Sequence, residues 1–234
     1  KLKGNSNVAS YENHQVIEHR DGIGWDILIQ MELLTPLNKY IVSNTITQRD
    51  IIRLGIDLCN ALELCQKFNI IHRDIKPENI FVSEVGNFKL GDFGISRTAD
   101  RTSGMTKTGT EAYMAPEVYK GEPYHSTVDI YSLGLVLYRL LNGNRLPFFP
   151  PAPAPVKPED RDNAVKKRFS GAPLPPACHA RGRLGEIVLK ACSYSPRGRY
   201  ARPGQMRQEL EAILSGREEG PYIFTPGDDV PQDS

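Results

Sequence analysis

The chain has no excess of either charge: 29 Lys and Arg stand against 28 Asp and Glu among 234 residues. That balance removes the electrostatic case for a nucleic acid or an anionic membrane as partner. The short basic run Lys166 to Arg168 lies in a polar stretch and reads as a solvated face. Cysteine is scarce. Cys59, Cys65, Cys178 and Cys192 form no C-x-x-C and have no histidine at metal-ligand spacing, which leaves the reduced thiols of a cytosolic protein. Cys59 and Cys65 fall on different faces of one predicted helix. No apolar run is long enough to cross a bilayer, and the most apolar stretch, Asp129 to Leu141, reads as a buried helix. A complete G-x-G-x-x-G string is also missing. The nearest approach, GIGWDI from Gly22, lacks the third glycine and reads as the turn of a hairpin.

What is present falls into short strands followed by helices. Residues 14–20 and 25–32 read as two strands around the turn Asp21 to Gly24. Thr47 and Asp50 make a capping box ahead of a helix on which Ile51, Leu54, Leu58, Leu62 and Cys65 recur at helical spacing. The runs IFV and FKL on either side of SEVGN form a second hairpin, which brings Asp92 back beside Asn79. Residues 95–112 are polar and read as a surface loop. Ser126 and Asp129 repeat the capping-box pattern before the buried helix, which stops at Asn142 to Asn144. The proline-rich stretch from Leu146 to Asp160 excludes regular helix and strand and reads as a rigid surface loop. A last amphipathic helix starts near Pro203, with Met206, Leu210, Ile213 and Leu214 on one face. The polar tail from Arg217 to Ser234 is expected to be disordered. No internal repeat is found.

The chemistry concentrates in IIHRDIKPENIFV, residues 70–82. Asp74, Lys76 and Asn79 stand between two apolar runs, where an unpaired carboxylate costs several kcal/mol. Metal ions, phosphates or substrate hydroxyls are the usual partners for such groups. Asn79 follows Asp74 by five residues, GDFG from Gly91 to Gly94 comes next, and MAPE from Met114 to Glu117 comes after that. Three such strings in one order make chance a poor account.

On those motifs the chain resembles the eukaryotic-type protein kinases, from near Leu2 to about Leu214. Lys76 and Thr110 resemble the serine/threonine branch, and the general texture is similar to that of bacterial members. The resemblance implies an α+β fold with a mainly helical large lobe and a remnant of the β-rich small lobe. Residues 1–34 would end the small lobe and form the hinge, 35–216 the large lobe, and 217–234 the tail. It also implies ATP and Mg²⁺ as cofactors, and proteins bearing Ser or Thr as substrates. Asp74 would orient the acceptor hydroxyl and take its proton, Lys76 would lie against the γ-phosphate, and Asn79 and Asp92 would hold Mg²⁺. Met31 would be the gatekeeper, the backbones of Glu32 and Leu34 would meet the adenine edge, and Phe81 would pack under the base. Arg73 would receive a phosphate on the loop that offers Thr102, Ser103, Thr106 and Thr108. Thr110 to Glu117 would form the peptide platform, with Glu117 paired to Arg199. Asp129 would bind the backbone of the catalytic loop, and His72, Phe93 and Ile17 would stack as a spine.

The glycine-rich loop, the strand lysine and its partner glutamate that such an enzyme needs are not in this sequence. By the family's order Leu2 falls near the end of the helix carrying that glutamate, so a fragment of a complete kinase is expected. Lys1 stands where an initiator Met would, and no secretory signal opens the chain. A cytoplasmic location is expected, or the cytosolic part of a longer, membrane-anchored protein. The alternatives are a non-catalytic kinase-like scaffold and, less favoured, an enzyme acting on small-molecule hydroxyls.

Overall fold

A computed structural model describes residues 5–93, 111–215 and 222–224. The strands β1 (Tyr11–Glu18) and β2 (Trp25–Met31) form an antiparallel ribbon. Its turn closes through His19 and Gly24, with the Gly22 amide donating to the His19 carbonyl. Gly22 has φ +69° and Gly24 φ +106°, so the glycines of GIGWDI serve the turn, as the sequence indicates. Every residue of both strands is exposed, including Val16, Trp25, Ile27 and Ile29.

After the ribbon come β3 (Thr35–Pro36), α1 (Leu37–Ser43), β4 (Ile46–Thr47) and the long helix α2 (Gln48–Lys67). Thr47 caps α2 as expected: it is extended at φ −94°, ψ 163°, and its side chain accepts from the Asp50 amide while Asp50 accepts from the Thr47 amide. The anticipated apolar face is buried. Cys59 and Cys65 are both buried as well, because α2 is enclosed from more than one side by α4 (Thr127–Leu140), α7 (Pro203–Leu214) and β6 (Phe88–Leu90). Burial pushes the Cys65 thiol up to about 12 and raises Cys59 too, so both stay protonated and inert.

The predicted second hairpin consists of β5 (Ile80–Val82) and β6, in register Ile80↔Leu90, with β3 added on the outer edge of β5. Asp57 of α2 accepts the Phe88 amide at 2.9 Å, which ties this hairpin to the helical core. Residues 7–9 run beside β6 through the Leu90 and Ala9 amides. At the centre lies α4, buried from Val128 to Leu140.

Four expectations are corrected. Ser126 does not cap α4: it is helical at φ −58°, ψ −14°, with no side-chain cap bond, whereas a capping box needs the extended backbone seen at Thr47. Asp129 is drawn away to the loop at residues 72–73. Pro158 to Asp160 are not loop but the first turn of α5 (Pro158–Phe169), where proline at the first position lacks no needed donor. Within the tail, β7 (Tyr222–Phe224) pairs antiparallel with β4. Ile17 is 41% exposed on the ribbon, outside the core in which His72 lies, so it completes no spine. Two shorter helices, α3 (Pro116–Tyr119) and α6 (Arg183–Ala191), complete the described helical body. Among the described residues no helix is long and apolar enough to cross a membrane.

Candidate active site

The loop between α2 and β5 is held from below by one carboxylate. Asp129 accepts the His72 amide on one oxygen and the Arg73 amide on the other, each at 2.8 Å. Burial pushes the Asp129 carboxyl up, against the opposing pull of the two amides. Arg73 takes φ +69°, a left-handed conformation that this double anchor stabilises. His72 is 2% exposed, its Nε2 lies 2.8 Å from the Gly91 carbonyl, and its ring meets Phe93 edge-on at 4.8 Å. It thus joins the loop to the segment carrying Asp92, a core role as expected.

Asp74, Lys76 and Asn79 converge. The Lys76 Nζ is 3.1 Å from Asp74 Oδ2, and the Asn79 side-chain amide donates to the same oxygen at 3.0 Å and to the Asp74 carbonyl at 2.7 Å. The Asp74 side chain is only 18% exposed, so its charge is partly withdrawn from water. The Gly91 amide donates to the Asn79 carbonyl at 2.9 Å, which sets Asp92, exposed at φ +49°, next to Asn79. Any side chain at position 91 would run into Phe81, whose Cε2 would be 2.6 Å from an added Cβ. The half-buried Phe81 ring therefore packs closely against this glycine.

Along the hinge, Met31 is exposed and Leu34 half-buried. The Glu32 side chain is committed to Lys89 of β6, with both oxygens at 2.8 Å from Nζ, and accepts from the Ser10 amide. Nothing in the sequence signals this Lys89 partner, because the pairing is set by the β6 register. Burial opposes ionisation of Glu32, but Lys89 and Ser10 together outweigh it and hold the carboxyl below the usual range. A lowered folded-state value means the clasp stabilises the fold above the ordinary glutamate range and is lost as pH falls through the lowered value. Thermal midpoints of wild type and Glu32→Gln are expected to differ above the ordinary glutamate range and to converge as pH falls through the lowered value. A difference independent of pH would disprove the clasp.

Glu117 and Arg199 form the expected pair, two parallel bonds of 2.6 and 2.8 Å, with side chains 5% and 0% exposed. Arg73 lies over the Tyr124 ring at 5.7 Å. Thr102, Ser103, Thr106, Thr108 and Thr110 lie outside the described residues. The solvated reading of Lys166 to Arg168 holds for the two exposed lysines and fails for Arg168, which is 5% exposed. Its guanidinium donates to the Ala112 carbonyl at 2.5 Å and to the Glu111 carbonyl. Desolvation lowers its pKa.

Residues 14–172 match the protein kinase domain family. The chain belongs to that family. Among curated relatives, this kinase domain is 35% identical over 185 residues to the serine/threonine-protein kinase PknB of Mycobacterium leprae, covering 76% of the chain and 28% of that protein. It is 32% identical over 227 residues to PknB of Mycobacterium tuberculosis, covering 93% and 35%. PknB of Mycolicibacterium smegmatis is 35% identical over 225 residues, again 93% of the chain and 35% of the relative. The kinase domain chain thus spans about a third of the length of these relatives. The α+β arrangement, a reduced β region ahead of a helix-rich body, fits that family.

Proposed function

We propose that the chain is the larger part of a protein serine/threonine kinase that transfers the γ-phosphate of ATP to protein Ser and Thr hydroxyls. Residues 1–34 are the end of the small lobe and the hinge, and 35–216 the large lobe. The observation that carries this reading is the convergence of Lys76 and Asn79 on one oxygen of Asp74, with Asp92 set beside Asn79.

Asp74 is the base: it orients the acceptor hydroxyl and takes its proton as the new P–O bond forms. Lys76 offsets charge on the moving phosphoryl group. Asn79 and Asp92 suit Mg²⁺. They offer hard oxygen donors, and the described residues contain no cluster of three His, Cys, Asp or Glu that would make a closed metal cage. Mg²⁺ is commonly held by one or two protein oxygens together with waters and phosphate oxygens. When bound, the ion neutralises charge on the phosphates. The Phe81 ring, held by Gly91, supplies the floor of the base site, with Met31 and the Glu32–Leu34 backbone at its edge. Arg73 is the receiver for a phosphate on Thr102, Ser103, Thr106 or Thr108, and Thr110 to Glu117 is the peptide platform.

The competing scaffold reading predicts no metal-linked nucleotide site. Calorimetry of the full-length protein is expected to show ATP binding that strengthens with Mg²⁺ and loses that gain in Asp92→Asn. ATP affinity indifferent to Mg²⁺ and to Asp92 would overturn the proposal.

A further inference from the structure

Glu111, Ala112 and Tyr113 lead directly into α3, and buried side chains from two other helices grip them. From α4, Ser132 donates to the Tyr113 carbonyl at 2.8 Å. Arg139 donates to the Tyr113 hydroxyl at 2.5 Å and to Asn144 at 2.7 Å. From the last turn of α5, the Arg168 guanidinium spans the carbonyls of Glu111 and Ala112. Backbone geometry within the segment depends on the same atoms, since the Met114 amide donates to the Glu111 carbonyl at 3.3 Å.

Arg168 is an expensive way to fill this space. Its charge is buried, and its partners among the described residues are neutral: the two carbonyls, the Tyr131 hydroxyl and the Phe169 ring at 4.6 Å, which do not restore what water gave. An apolar side chain of similar volume would pack there at less cost. What a guanidinium adds is a planar fork that fixes two acceptors at once. We propose that Arg168 is a positioning residue for the acceptor: by holding the Glu111 and Ala112 carbonyls it sets where the segment before α3 presents a peptide hydroxyl to Asp74. The inference rests on the phosphotransfer reading above.

The test compares wild type, Arg168→Met, Arg168→Lys and the exposed neighbour Lys166→Met in the full-length protein. It reads acceptor-peptide and ATP kinetics, and amide hydrogen exchange. Arg168→Met is expected to lower kcat/KM for the peptide by about tenfold or more, as small misplacements of a reactant do. KM for ATP should stay within about twofold of wild type, since the hinge and Phe81 are untouched. Exchange at residues 112–114 should quicken while α4 and α6 keep their protection. Arg168→Lys, a point charge without the fork, should fall between, and Lys166→Met should match wild type. Unchanged peptide kinetics in Arg168→Met would overturn the proposal. So would a loss shared equally by ATP and peptide and accompanied by faster exchange in α4, which is the mark of a merely structural role. A wild-type protein that transfers no phosphate would instead overturn the kinase reading, and this role with it.

Discussion

Asp74→Asn in the full-length protein is expected to lower phosphotransfer by about 10²–10⁴-fold, the usual contribution of a positioned base. The substitution is nearly isosteric. Asparagine keeps an oxygen that can accept from the Asn79 amide, which now lies at 3.0 Å, so the loop anchored on Asp129 should retain its shape. The lost property is the negative charge that faces Lys76 at 3.1 Å and can take a proton. Turnover should therefore collapse while ATP affinity stays within about twofold of wild type, because loss confined to kcat marks an interaction made in the transition state. Stopped-assay rates and equilibrium nucleotide binding on the same preparations separate the two quantities. Retention of more than about a tenth of wild-type turnover would remove Asp74 from the role of base.

The largest effect on stability is expected from Arg199→Met. Arg199 makes two parallel bonds to Glu117, donates to the Ser193 and Tyr194 carbonyls at 2.8 and 3.0 Å, and lies 4.6 Å from the centre of the Tyr131 ring. Removing it leaves a carboxylate buried at 5% side-chain exposure without its cation. Breaking one partner of such a pair costs about 3–5 kcal/mol, which for a chain of this size lowers the melting midpoint by roughly 6–20 °C. The double variant Glu117→Leu with Arg199→Met removes both charges and should lose less than Arg199→Met alone. Chemical denaturation of the three proteins measures this. Equal losses in single and double variants would show that the carbonyl bonds of Arg199, not its pairing with Glu117, hold α3 in place.

How far the sequence discloses this molecule depends on how local each interaction is. The capping box at Thr47, the turn at Gly22 and the hairpin around Gly86 are decided within a few residues, and all three stand in the structure. The spacing of Asp74, Lys76 and Asn79 is likewise local, and they meet at one oxygen. The same S/T-x-x-D pattern misleads at Ser126, because two backbone amides 56 and 57 residues away claim the Asp129 carboxylate. Arg168 is invisible for a similar reason. A basic residue ending a polar helix looks solvated until the carbonyls of residues 111 and 112, far off in sequence, are folded over it. In the ribbon, the kinase resemblance implied a spine of Ile17 with His72 and Phe93, whereas both faces of β1 and β2 are exposed. Tail residues 222–224 likewise needed β4 as an edge before their strand character could be expressed.

The central claim, that this chain carries the catalytic half of a protein serine/threonine kinase, is tested most directly by following the phosphate. The full-length protein is incubated with Mg²⁺, a protein acceptor and ATP labelled at the γ position, and the labelled amino acids of the acceptor are identified after hydrolysis. Label on phosphoserine or phosphothreonine, absent with Asp74→Asn, is the predicted result. A folded protein that leaves no label on either amino acid would contradict it.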